Sequence, residues 1–109
     1  VLLSHLPEEN LNDLLGRVTM IRYTSQTVDS VSALREELRK VQQQGYALND
    51  QELEMGLRSI AVPLSNTRGQ VLAALNVGVH AGQVSADELL SRVLPELQKA
   101  AQELSLLLD

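Results

Sequence analysis

Ser59, Asn76 and Gly78 are the residues whose types and placement offer chemistry, and that chemistry is hydrogen-bonded capture of a small molecule. They lie in RSIAVPLSNTRGQVLAALNVGV, from Arg58 to Val79. β-Branched and small apolar residues there flank a cluster of turn formers, which reads as two strands joined by the turn Asn66-Thr67-Arg68-Gly69. With that turn Ser65 pairs with Gln70, and Ser59 faces Asn76 across the hairpin. Side chains alternate along a strand, so one face collects Ser59, Ala61, Pro63, Leu72, Ala74, Asn76 and Gly78. The other carries Ile60, Val62, Leu64, Val71, Ala73, Leu75, Val77 and Val79. The bulky apolar face is core. The small face, with its polar groups gathered at one end, leaves room for something that is not side chain and reads as the floor of a ligand pocket.

Other arrangements carry less. Ser59, His80 and Asp50 have the residue types of a nucleophilic triad, but no nucleophile-elbow motif surrounds the serine. His5 and His80 have no second His or carboxylate at metal-ligand spacing and read as surface residues. Glu52 and Glu54 belong to the acidic stretch NDQELEMGL, read as a solvated loop. Strand parity turns Arg58 away from the small face, toward a salt bridge in a loop or an interface. The site residues have plainer readings too: Ser59 as a small core residue, Asn76 and Gly78 as features of a bulge. No acid, base, metal or cofactor constellation stands out, so an enzyme is not the expectation.

Composition bounds these readings. At 109 residues, 44% hydrophobic and 21% charged, the chain is at most one ordinary globular domain. A net charge of -5 and a pI of about 4.9 argue against this segment gripping nucleic acid itself. With two Tyr, no Phe and no Trp, it also lacks a platform for stacking bases. The absence of cysteine removes disulfides and thiolate metal sites, and the expected location is the cytoplasm. No signal peptide or long apolar span is present, so no membrane partner is expected. A chain that starts at Val1 and enters a helix almost at once reads as a piece of something longer.

The elements that must position the hairpin can be placed in order. In LPEENLNDLL, Pro7 suits a first helical position, Glu8 and Glu9 suit the positive end of the dipole, and Gly16 offers a left-handed stop. Val18 to Val28 reads as an extended connector. Asp29 or Ser30 caps a second helix running to Gln44 and stopped by Gly45, with Glu36 and Lys40 paired one turn apart. Tyr46-Ala47-Leu48 suggests a short strand. Ser85 with Glu88 forms a capping box for a final leucine-rich helix, in which Pro95 demands a kink or a break. The sum is an α+β fold with antiparallel strands. A lone hairpin has too little sheet to use both faces, so further strands are expected from an N-terminal half or another chain.

The stretch GYALNDQELEMGLRSIAVPLSNTRGQVLAALNVGVHAG, Gly45 to Gly82, resembles the signature region of the effector-binding domain of IclR-type bacterial transcription regulators. The upstream LLSHLPEENLNDLLGRVTMIRYTSQTV resembles the same family, so the likeness runs over essentially the whole chain. The wording LNVGVHAG is similar to the subgroup that regulates the β-ketoadipate pathway and answers to protocatechuate, 4-hydroxybenzoate or β-ketoadipate. The resemblance implies a GAF-like domain, an antiparallel sheet flanked by helices, that binds a small organic or aromatic carboxylic acid. Residues 1–109 would be the C-terminal portion of that domain, with the winged helix-turn-helix and the domain's first strands outside it. Its implied effector-binding positions are Asn49, Ser59, Asn76 and Gly78, where many relatives have Asp, Cys and two Ser. A hydroxyl and an amide donate hydrogen bonds to a carboxylate, and Gly78 keeps the floor low. Implied partners are the acid, further copies in a dimer or tetramer, and DNA only through the absent domain. The alternative is a structural or oligomerising domain without a ligand, suggested by the leucine-rich final helix.

Overall fold

A computed structural model describes residues 1–17, 20–21 and 23–108. After a 3-10 turn at Leu3–His5, helix α1 spans Glu8–Leu15. Pro7 is its cap rather than its first residue, and Gly16 stays right-handed at φ -69°, so no left-handed stop forms. The N–H groups of Gly16 and Arg17 instead bond back to the Asn12 and Leu14 carbonyls, tightening the last turn. Tyr23 to Ser30 makes turns and bends; Val18, Thr19 and Arg22 of the expected extended connector lie outside the described residues. Helix α2 spans Val31–Gln44; the Ser30 side chain accepts from the Ala33 N–H, and Gly45 ends the helix at φ 81°. Its surface ion pair joins Arg39 to Glu36, where the sequence suggested Lys40.

The sheet has three antiparallel strands in the order β1 (Ala47–Asp50), β2 (Leu57–Ser65), β3 (Val71–His80). Strand β1 takes in Asn49 and Asp50, which the acidic composition had assigned to the loop. The hairpin exists where expected, but its register differs by two residues: Ser59 faces Gly78, and Asn76 faces Ala61. The cause is the buried side chain of Asn66. Its Oδ1 accepts the N–H groups of Arg68 and Gln70 while its Nδ2 donates to Gln70 Oε1, which draws Gln70 into the turn. Ser65 therefore pairs with Val71, and a bulge beside Leu64 and Ser65 adds the second residue of offset. A one-residue slip would exchange the two faces; an offset of two leaves each residue on its expected face.

The capping box of Ser85 and Glu88 opens α3 (Ala86–Glu88), which continues through a π-helical segment, Leu89–Val93, into α4 (Leu94–Ser105). Pro95 falls in the first turn of α4, directly after the π segment. A proline has no N–H to donate and its ring crowds the preceding turn; a widened turn accommodates both. This helix covers one face of the hairpin. Ile60 and Val62 from β2 pack with Leu89, Leu94, Leu97 and Ala101, flanked by Leu48, Leu75, Val77 and Val79. Ile60 and Leu89 are wholly buried. Among the described residues no helix is long and apolar enough to cross a membrane.

Arg58 fastens the end of this layer. Its side chain, 12% exposed, donates from Nε to Asp50 Oδ1 at 2.9 Å and from Nη1 to the carbonyls of Val84 at 2.7 Å and Ala81 at 3.3 Å. One guanidinium thus ties β1, β2 and the segment after β3. The hydrogen bond from Arg58 holds the Asp50 carboxyl below the usual carboxylate range.

Truncating Ile60→Ala should cost about 3 kcal/mol in denaturant unfolding, since a wholly buried side chain leaves a cavity. Arg58→Leu should cost about 2 kcal/mol, because two carbonyls lose a charged donor and Asp50 loses its partner. Asp50 has a folded-state pKa below its unfolded one, so its contribution is present above the ordinary carboxylate value, roughly 3.9, and fades as pH falls through the lowered one. Melting temperatures against pH should show Asp50→Asn less stable than the unmodified protein at pH 7, with the gap closing in strong acid.

Candidate functional site

The three strands set one cross-strand row after another. Asn49 lies beside Ser59, which lies beside Gly78; the next row on the same face is Ala47, Ala61 and Asn76. All four sequence-derived site residues therefore share one face, with Asn76 diagonal to Ser59 and not opposite it. The face is floored by Ala47, Ala61, Pro63 and Ala74 and is open to solvent, with Asn49, Ala74, Asn76 and Gly78 exposed and Ser59 half-buried. A Cβ built on Gly78 would meet nothing within 4 Å. Gly78 is no bulge residue either, since the irregularity in the pairing lies at the other end of the hairpin.

The donors on this face are free. Among the described residues, neither the Ser59 hydroxyl nor the Asn76 amide has a hydrogen-bond partner within the chain. Asn49 is different, because its Oδ1 accepts the N–H of Glu52 at 3.4 Å, which leaves the amide nitrogen as its outward group. No Lys or Arg stands on the face, and Arg58 points to the opposite side. The floor can hold an anionic oxygen with neutral N–H and O–H donors, as carboxylates are often held.

The loop at the polar end of the face runs from Gln51 to Gly56. Gln51 sits at φ 61°, a left-handed conformation that non-glycine residues rarely adopt, and Gly56 at φ 90°. Burial, and next the nearby Glu37 carboxylate, push the Glu52 carboxyl above its ordinary range. Two threonines from the connector reach this loop: Thr24 Oγ1 donates to the Gln51 carbonyl at 2.6 Å, and Thr27 Oγ1 donates to the Glu52 carbonyl. Sequence reasoning missed both contacts. Their local signal was Thr24 and Thr27 three residues apart just ahead of a helix cap, the spacing at which hydroxyls fold a turn onto itself.

The structure also separates groups that could be combined on paper. Asp50 is held by Arg58 on the core side, whereas Ser59 and the exposed His80 occupy the other face, so the three do not converge. Two clefts open in the described surface, the first away from the candidate site and the second bordering its floor at Pro63. One of about 420 Å³ opens between α1 and α2, lined by Leu6, Leu11, Arg35, Leu38, Arg39 and Gln42 among others. The other, about 330 Å³, lies between β2 and α4 beside Pro63, Ser65, Gln98 and Gln102.

Comparison with known proteins gives this geometry a context. Residues 1–106 match the family described as bacterial transcriptional regulator IclR C-terminal. The chain is 44% identical over 104 residues to the Pca regulon regulatory protein of Pseudomonas putida, covering 95% of this chain and 36% of that protein. It is 36% identical over 104 residues to the p-hydroxybenzoate hydroxylase transcriptional activator of Acinetobacter baylyi, covering 95% and 38%. The chain thus spans well under half the length of these relatives. Among solved structures, the inducer-binding domain of a PobR double mutant from Acinetobacter, in complex with 3-hydroxybenzoic acid, superposes with a TM-score of 0.94 at 34% identity. That likeness covers 98% of this chain and 61% of that domain. The C-terminal domain of Escherichia coli KdgR gives a TM-score of 0.87 at 33% identity, covering 96% and 63%. With the family matched across nearly its whole length and the fold shared with these effector domains, the chain belongs to the IclR C-terminal family of bacterial transcriptional regulators.

Proposed function

We propose that residues 1–109 are the C-terminal portion of an effector-binding domain whose small-residue face floors the site for a small organic or aromatic carboxylic acid. The observation that carries this reading is the set of unpartnered neutral donors on one open face: Ser59 beside Asn49 and Gly78, with Asn76 diagonal to it. Ser59, Asn76 and the Asn49 amide donate to the carboxylate, and Gly78 leaves the space its ring or chain occupies. The remaining walls come from the part of the domain outside this chain. Relatives named for the Pca regulon and for p-hydroxybenzoate hydroxylase, and a structural neighbour holding 3-hydroxybenzoic acid, support an aromatic acid of this kind.

In the whole protein, binding favours one arrangement of protomers over another and so changes how a linked winged helix-turn-helix meets its operator. Control of aromatic-acid catabolism is the role that follows, with self-association into a dimer or tetramer as the frame of the switch. A second reading, an oligomerising domain without a ligand, draws on one observation: Leu104, Leu106 and Leu107 are exposed at the end of the final helix, the last two by 77% and 80%.

The two readings separate on titration of the full-length regulator with protocatechuate, 4-hydroxybenzoate, 3-hydroxybenzoate and β-ketoadipate. A bound acid should raise the melting temperature with concentration, by about 2.7 kcal/mol of stability at a hundredfold excess over Kd. Ser59→Ala and Asn76→Leu should each weaken that affinity roughly five- to tenfold by removing one donor. Gly78→Val should abolish it while leaving the ligand-free melting temperature near its original value. Unchanged affinity in all three variants would discard this site.

A further inference from the structure

We infer that Thr24 and Thr27 are positioning residues for the effector site, acting through the Glu52 backbone to orient the Asn49 side chain; the inference rests on the effector-site reading above. Each hydroxyl has one proton, and its position is decided by the acceptors around it. Thr27 Oγ1 accepts the N–H groups of Tyr23 at 3.1 Å and Thr24 at 2.9 Å, and of the two acceptors left to its proton, the Glu52 carbonyl and Thr24 Oγ1 at 3.4 Å, the carbonyl is the nearer and takes it. Thr24 Oγ1 accepts the Gln26 N–H at 3.0 Å and gives its proton to the Gln51 carbonyl. The two threonines are therefore a folded turn with two outgoing donors, both aimed at consecutive carbonyls more than twenty residues away. These contacts hold the loop at the point where it is least relaxed.

That point is Gln51, whose left-handed backbone is enclosed by its own bonds: its N–H donates to the Leu57 carbonyl at 2.9 Å and its Oε1 accepts the Gly56 N–H at 3.0 Å. A strained residue persists when its surroundings over-determine it. The bond from Thr24 adds a contact to that enclosure from outside the loop. With the peptide groups of Gln51 and Glu52 fixed, the Glu52 N–H points at Asn49 Oδ1. An asparagine side chain can present either oxygen or nitrogen to its surroundings, and this bond selects nitrogen. The consequence is chemical: the outward group of Asn49 becomes a donor, which suits a carboxylate, in place of an acceptor, which would repel it. Removing a connector hydroxyl would free the carbonyl, loosen the loop and let the amide present either end.

The test uses the full-length regulator and two readouts. In the ligand-free protein, hydrogen exchange across residues 49–56 should accelerate in Thr27→Val and stay near the original rate in Thr27→Ser, which keeps the hydroxyl; unchanged exchange in Thr27→Val overturns the inference. In titrations with 4-hydroxybenzoate, Thr27→Val should weaken binding roughly fivefold, the worth of about 1 kcal/mol of oriented hydrogen bonding. In an Asn49→Ala background the same substitution should have no further effect, whereas a merely structural role would add its loss again. Weakened binding in Asn49→Ala and Ser59→Ala with none in Thr27→Val overturns the positioning role alone. Binding unaffected by any of the three removes the site reading, and the positioning role falls with it.

Discussion

The packing of the final helix onto one face of the β2–β3 hairpin is the constraint on which the rest of this structure depends. Ile60 and Val62 can be buried against Leu89, Leu94, Leu97 and Ala101 only if the helix lies flat on the sheet, and Pro95 would prevent that in a regular helix. The π segment ahead of it resolves the conflict, so a local irregularity serves the packing of the hydrophobic core. Because a strand alternates its side chains, covering one face also settles which residues stand on the other. The candidate site is the complement of the core, residue for residue.

Much of this was legible in the sequence because it depends on alternation alone. The apolar and small residues of β2 and β3 sort onto two faces whatever the pairing, and the helix signals at Ser30, Gly45 and Ser85 act within a few residues of themselves. What escaped depended on side chains bonding across longer distances. Asn66 recruits Gln70 into the turn and offsets the register, so Ser59 meets Gly78 rather than Asn76; nothing in residue type alone distinguishes that turn from a tighter one. The acidic look of Asn49 and Asp50 hid a strand because Asp50 is neutralised by Arg58, eight residues along and on the adjacent strand. Gly16 was read as a left-handed stop because glycine permits that conformation, yet permission is not requirement.

Charge is arranged with the same division of labour. The guanidinium of Arg58 is consumed by Asp50 and two carbonyls on the core side, where it closes the end of the sheet. None of its charge is spent on the open face. On the proposed reading, the groups that this face of the sheet offers a carboxylate are neutral N–H and O–H donors.

The two-residue repeat of β3 has an implication for how such domains diverge. Leu75, Val77 and Val79 pack against the core and Val71 and Ala73 share their half-buried face, whereas Leu72, Ala74, Asn76, Gly78 and His80 are exposed. Substitutions at even-numbered positions can therefore change what the open face presents without disturbing what keeps the protein folded. If that face is the effector floor proposed above, heritable change in specificity and heritable change in robustness are written in alternate letters of the same strand, and natural selection can revise one while leaving the other intact.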